Sequence, residues 1–118
     1  MSVPNHLRVA TRRSDLAVTQ TTQWMDQLVH AVPGLTYELV KIDSEGDLKP
    51  EQKLADFPGK GVFSGALEVA LAEGAADIAI HSLKDLSVDI DPQFALPALS
   101  KRENPYDVLV TLNSRSLK

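Results

Sequence analysis

Cysteine is absent from this sequence, and that single omission removes disulfides, thiolate metal sites, thiol nucleophiles and thioether-linked cofactors from the chemistry this chain can carry alone. Aromatic residues make up only 5% of the chain, too few for a base-stacking surface. Positive charge is not in excess either. The 12 lysines and arginines face 16 aspartates and glutamates, giving a formal net charge of -4, which argues against an affinity built mainly on nucleic-acid phosphates. No apolar run approaches the roughly 20 residues of a membrane span, and the opening stretch "MSVPNHLRVATRRSD" has no signal-peptide core of about 7 to 15 apolar residues. The chain therefore reads as soluble and cytoplasmic. Repeats, low-complexity tracts and Gly/Ser linkers are missing, and the three histidines, His6, His30 and His81, have no metal-ligand spacing.

What is present is a core of ordinary size. With 118 residues, 43% of them apolar, the chain can bury one core and is expected to form a single domain spanning residues 1–118. Leu7–Ala10 reads as a short strand, and Ser14 as the N-cap of a helix. In that helix Ala17, Thr21, Trp24, Leu28 and Val32 recur at helical spacing, joined by Leu16, Met25 and Val29 in one broad apolar face. Pro33-Gly34 stops it, and Tyr37–Ile42 reads as a second strand, so the opening is a βαβ unit with a parallel pair.

The polar stretch from Asp43 to Gly61, with Pro50 and Pro58, reads as a long loop, of a length that is usually functional. A helix is expected from about Val62 to a cap at Gly74. "DIAIHS" then has the continuous apolar core and polar exit of a central parallel strand. Beyond it, "DPQFALPALSKRENPYD" reads as a strand with turns, and Asp107–Leu112 as one more strand. The class is α/β, a parallel or mixed sheet flanked by helices.

In such sheets, ligands sit outside the carboxyl ends of the strands. "TRRS" and "HSLKD" are two such exits, each carrying basic groups and a hydroxyl, with a helix N-terminus beside the first; together they suit carboxylates or phosphates. Each residue also has a plainer reading. Asp85 is either a catalytic acid or charge stabiliser, or a turn residue; Lys84 alone would be a solvated surface lysine, and His81 a hydrogen-bonded structural histidine. Arg12 and Arg13 are anion ligands or surface charge. "PGKG", Pro58 to Gly61, is too short for a Walker phosphate loop.

Four stretches, "LRVATRRSDLAVTQ", "GLTYELVKIDSEGD", "GKGVFSGALEVALAEGAADIAIHSLKDL" and "RENPYDVLV", together resemble the amino-terminal domain of the hydroxymethylbilane synthase family, also called porphobilinogen deaminases. The likeness runs from about Leu7 to Val110 and covers about the first third of a typical member. It implies a lobe like that of a type II periplasmic binding protein, and membership of the transferases that join four porphobilinogen units into a linear tetrapyrrole in porphyrin and heme biosynthesis. It also implies a dipyrromethane cofactor, held covalently in the family through a cysteine in a third domain.

Carried onto matching positions, the resemblance makes Asp85 the catalytic carboxylate, assisting deamination and stabilising the cation that forms. Arg12, Ser14, Ser82 and Lys84 would bind pyrrole carboxylates, Lys60 would lie in an active-site loop with Phe63 as a ring-stacking lid, and Asp47 would be an acidic loop position. The sequence departs from the family pattern at Glu45, usually Arg, at Asp56, commonly Lys, and at Asp15 and Ser87, both usually Pro. The two charge reversals should weaken anion binding. With the second domain, its Ser-Ser-Leu-Arg-Arg motif and the cofactor cysteine all missing from this sequence, the expectation is a fragment inactive alone. It would bear residues 105–118 as a crossover, and its uncovered edge would self-associate as a homodimer through Val108–Leu112. The competing expectations are a non-catalytic lobe that binds an anion or a protein partner, and one half of a split enzyme completed by domains on a second chain. No metal is expected.

Overall fold

The computed structural model describes residues 4–43, 65–86, 89–102 and 106. Among them the order is β1 (His6–Arg12), α1 (Asp15–Ala31), β2 (Thr36–Ile42), α2 (Gly65–Ala72), β3 (Ile78–Ala79) and a 3-10 turn, Leu83–Asp85. The sheet runs β2-β1-β3. Both pairings are parallel, with His6 opposite Thr36 through to Arg12 opposite Ile42, and Val9 and Ala10 opposite Ile78 and Ala79.

Among the described residues β1 lies between the other two strands, and both of its faces are covered. Its residues Val9, Ala10 and Thr11 are fully buried, and successive side chains of a strand point to opposite faces. Ala10 packs with Leu67 and Leu71 of α2, joined by Val40, Ile42 and Ala79 from the neighbouring strands. Thr11, one residue on, turns the other way and hydrogen-bonds to Thr21 of α1 (Oγ1–Oγ1 2.9 Å) and to the Ala17 carbonyl (3.4 Å). The two helices thus cover opposite faces of the sheet, the three-layer solution for a parallel α/β unit.

Each helix ends where its sequence requires. Ser14 caps α1, its Oγ accepting from the Ala17 amide at 3.4 Å, and Asp15 sits in the first turn, favourable to the helix dipole. At the other end Gly34 adopts φ +84°, a conformation costly for any residue with a Cβ. Gly74, at φ +78°, closes α2 in the same way, with the Ala75 and Ala76 amides both returning to the Ala70 carbonyl at 2.9 and 3.3 Å.

The turn after Gly74 is tied to β1 by Arg8. Its guanidinium donates to Asp77 Oδ1 (2.9 Å) and Oδ2 (3.3 Å) and to the Gly74 carbonyl (2.8 Å), while its amide donates to Asp77 Oδ2 (2.8 Å). The partners shift each other: Arg8 holds Asp77 below the usual carboxylate range, and Asp77 raises Arg8.

Three expectations change. Among the described residues "DIAIHS" contributes only the two-residue ladder Ile78–Ala79, half-buried and on the side of β1 away from β2. Among the described residues β1, with small Ala10 and hydroxylated Thr11, has a strand on each side, and both helices pack on it. The apolar face assigned to α1 holds, with Thr21 and Met25 buried and Ala17, Trp24, Leu28, Val29 and Val32 half-buried, except at Leu16, which is 62% exposed and belongs to the rim of the cleft described below. Residues 91–102 contain no strand. At their start Asp91 instead makes a turn, its Oδ1 accepting from the Gln93 amide (3.0 Å) and its carbonyl from the Phe94 amide (2.9 Å). The expected loop from Asp43 to Gly61, apart from Asp43 itself, lies outside the described residues, as do the start of the second helix at Val62 and the strand Asp107–Leu112.

Candidate active site at the strand exits

β1 and β3 run parallel, so their carboxyl ends open on the same side of the sheet, with the first turn of α1 beside them. Arg12 is the last residue of β1. The chain leaving β3 continues one more residue in register, the Ile80 amide donating to the Ala10 carbonyl at 3.1 Å, and then delivers His81, Ser82 and the 3-10 turn. That turn is closed by the Asp85 amide on the Ser82 carbonyl (2.9 Å) and the Leu86 amide on the Leu83 carbonyl (3.2 Å). A chain that tightens directly after a strand presents consecutive polar side chains to one place.

That place is a small cleft of about 60 Å³, lined by Arg12, Ser14, Gln20, His81, Ser82, Lys84 and Asp85, with Leu16, Ala17, Thr21 and Ile80 completing its walls. Asp85 is its most enclosed charge. With a side chain only 12% exposed, it lies 3.6 Å from Arg12 Nη1 (20% exposed) through Oδ2 and accepts a hydrogen bond from Lys84 Nζ at 3.0 Å through Oδ1. Lys84 is 74% exposed, so its half of the arrangement is wet. The Arg12 half is largely shielded, where charge interactions are stronger.

His81 stands between these charges. Burial pushes its imidazole below the ordinary value, opposed by the Asp85 carboxylate and aided by the Arg12 guanidinium. The hydrogen bond expected of His81 is not found among the described residues.

The two adjacent arginines part company. Arg13 donates from Nε to Asp43 Oδ1 (2.9 Å) and from Nη2 to the Lys41 carbonyl (3.3 Å), tying the β1–α1 turn to the end of β2. Arg12 instead lines the cleft. Of the residues selected from sequence, Arg12, Ser14, Ser82, Lys84 and Asp85 are therefore brought together, whereas Lys60, Phe63 and Asp47 lie outside the described residues, as do Glu45 and Asp56. Sequence reasoning missed Gln20, whose Oε1 accepts from Ser82 Oγ at 2.8 Å and so braces α1 against the exit of β3. Its signal was helical spacing: positions 14, 17, 20 and 21 lie along one side of α1 facing the strand exits. Among the described residues no group of acidic, histidine or cysteine side chains could hold a metal ion.

Cations, hydroxyls and one shielded carboxylate thus converge beyond the carboxyl ends of a parallel sheet in a small α/β lobe. The comparisons with known proteins give that lobe its family. A family model described as "Porphobilinogen deaminase, dipyromethane cofactor binding domain" matches residues 7–118. The porphobilinogen deaminase of Stenotrophomonas maltophilia (strain K279a) is 46% identical over 105 residues, covering 89% of this chain and 35% of the relative. That of Dichelobacter nodosus (strain VCS1703A) is 45% identical, covering 89% and 34%. The chain belongs to the porphobilinogen deaminase family, the hydroxymethylbilane synthases of porphyrin biosynthesis, and it spans about a third of the length of the curated relatives it matches.

Proposed function

We propose that this chain supplies the strand-exit wall of the site at which porphobilinogen units are joined, with release of ammonia, into hydroxymethylbilane. The lobe would be of the type II periplasmic-binding-protein kind. The observation that carries this reading is the convergence of Arg12, Ser82, Lys84 and Asp85 on one cleft. Arg12 and Lys84 match the acetate and propionate substituents of a pyrrole in charge, Ser14 and Ser82 add hydroxyls, and Asp85 would face ring N–H groups. As the substrate's amino group leaves, positive charge develops on the ring system. A carboxylate fixed nearby with only 12% of its side chain exposed stabilises that charge without reorganising water.

The same donors fit the carboxylates of a dipyrromethane. Such a group, when bound, serves as the primer to which monomers are added; Arg12, Ser14, Ser82 and Lys84 would hold it. The chain contains no cysteine, so a thioether to it must come from elsewhere. Lys60 and Phe63 are proposed, on family likeness alone, to act in a loop over the ligand.

A cleft of about 60 Å³ is well below the roughly 300–1,000 Å³ of a typical small-molecule site, which supports a wall rather than a whole pocket. The lobe is therefore read as inactive alone, completed in the cytoplasm by further domains or by a second chain. The small cleft equally favours a second reading, a non-catalytic lobe that binds an acidic ligand. Incubating the purified chain with porphobilinogen, alone and with the remaining two thirds of the Stenotrophomonas relative, separates the two. Substrate loss and ammonia release only in the mixture support the enzyme reading, and no release in either leaves the binding lobe.

A further inference from the structure

The turn that carries Arg12 into the cleft is held from outside the cleft. In the parallel β1–β2 ladder the last pair is Arg12 opposite Ile42. One residue further on, where the same register sets Arg13 opposite Asp43, side chains take over from the backbone: Arg13 Nε donates to Asp43 Oδ1 at 2.9 Å and Nη2 to the Lys41 carbonyl at 3.3 Å. We propose that Arg13 and Asp43 are positioning residues for the strand-exit site, a clamp beside the cleft that fixes the directions in which Arg12 and Ser14 enter it. This inference rests on the reading of that cleft as a carboxylate site.

Successive side chains of an extended chain point to opposite sides, and Ser14 keeps an extended backbone, φ -60° and ψ 150°, before α1 begins. Arg12 and Ser14 therefore share one side, where both line the cleft, while Arg13 between them reaches toward β2. Rotating this turn moves all three side chains together. A guanidinium that holds a carboxylate and a backbone carbonyl at once opposes that rotation, since its planar donors fix orientation as well as distance. Both partners are about half exposed, Arg13 58% and Asp43 45%, so the pair adds little to overall stability. Its effect falls instead on the aim of Arg12, whose guanidinium sits at the end of a long side chain and is displaced by any tilt of the turn. Charge-assisted hydrogen bonds weaken steeply once their alignment is lost.

Removing Asp43 separates the clamp from ordinary charge effects. A negative charge near an anion site opposes binding, so an Asp43 that acted through its charge alone would make Asp43→Ala bind porphobilinogen more tightly. The clamp predicts the reverse. Titrated by NMR on the isotope-labelled chain at fixed ionic strength, Asp43→Ala should bind porphobilinogen about two- to fivefold more weakly than wild type, the range for one exposed ion pair. The double variant Arg13→Ala, Asp43→Ala should bind no more weakly than Arg13→Ala alone, because contacting residues act as a unit. In the ligand-free chain, Asp43→Ala should shift the Arg12 Nε and Ser14 amide signals. Equal or tighter binding by Asp43→Ala, losses that add in the double variant, or unmoved Arg12 and Ser14 signals would each overturn the clamp while leaving the carboxylate site intact. No binding of porphobilinogen by wild type would overturn the reading of the cleft, and the ligand-free Arg12 and Ser14 signals would still decide the clamp.

Discussion

Asp85 is the residue on which the proposed chemistry turns. In an enzyme completed by the remaining domains of a relative, Asp85→Ala should reduce porphobilinogen consumption by about 10²- to 10³-fold, the scale for removing one preorganised electrostatic group, with little change in the unfolding midpoint. Turnover within a factor of two of wild type would remove the assignment. A different kind of residue supports the site from beneath. Thr11 and Thr21 share a buried hydroxyl pair at 2.9 Å, joining the end of β1 to α1 below Arg12. Thr11→Val strands the Thr21 hydroxyl and should cost about 1–3 kcal/mol, whereas replacing both threonines by valine should cost less than the two single changes added together. Urea unfolding of the three variants measures this, and strict additivity would show that the hydroxyls do not act as a pair.

At the scale of elements, the helix caps and the first two strands were legible in the sequence because local chemistry decides them. Ser14 before an amphipathic run, and Gly34 and Gly74 after one, act through their own backbone positions. Ser14→Ala should destabilise the chain by about 0.5 kcal/mol, toward the low end for an N-cap, since its bond to the Ala17 amide is long at 3.4 Å; a loss above about 2 kcal/mol would mean that Ser14 does more than cap. The extent of the third strand was not legible, because "DIAI" is a short apolar run and only tertiary packing decides how much of it joins the ladder. The same limit applied to Arg12 and Arg13. Two adjacent identical residues cannot be told apart until Asp43 and Asp85 are in place to draw them to opposite sides. Gln20 was overlooked because a glutamine in a helix is unexceptional until the strand exit carrying Ser82 folds against it. The Arg8–Asp77 pair, about two-fifths exposed on each side, locks the α2–β3 turn to β1; Arg8→Ala should lower the urea midpoint, more at low salt than at high, and an unchanged midpoint at low salt would make the pair ornamental.

For the whole molecule, pH couples folding to the site through His81. Its folded pKa is pushed below the ordinary 6.5, first by burial. Between that folded value and 6.5 the unfolded chain binds more protons, so stability rises with pH there. The His81 contribution is complete above about pH 6.5 and is lost as pH falls toward the folded value. Unfolding free energies from about pH 5 to 8 should therefore decline on the acid side in wild type and decline less in His81→Gln. Equal slopes would show that His81 is not the group responsible. Dimerisation through the uncovered edge, expected from sequence, falls on Val108–Leu112, outside the described residues, and light scattering across a wide concentration range tests it; a monomer throughout would dismiss it.

The central claim is that an acidic pyrrole is received where β1 and β3 end, and it is tested most directly by titrating the isotope-labelled chain with porphobilinogen and following its backbone and side-chain NMR signals. The account predicts saturable shifts concentrated at Arg12, Ser82, Lys84 and Asp85, reduced in Arg12→Ala. Shifts absent at millimolar porphobilinogen, or saturable shifts centred elsewhere on the lobe and indifferent to Arg12, would contradict it.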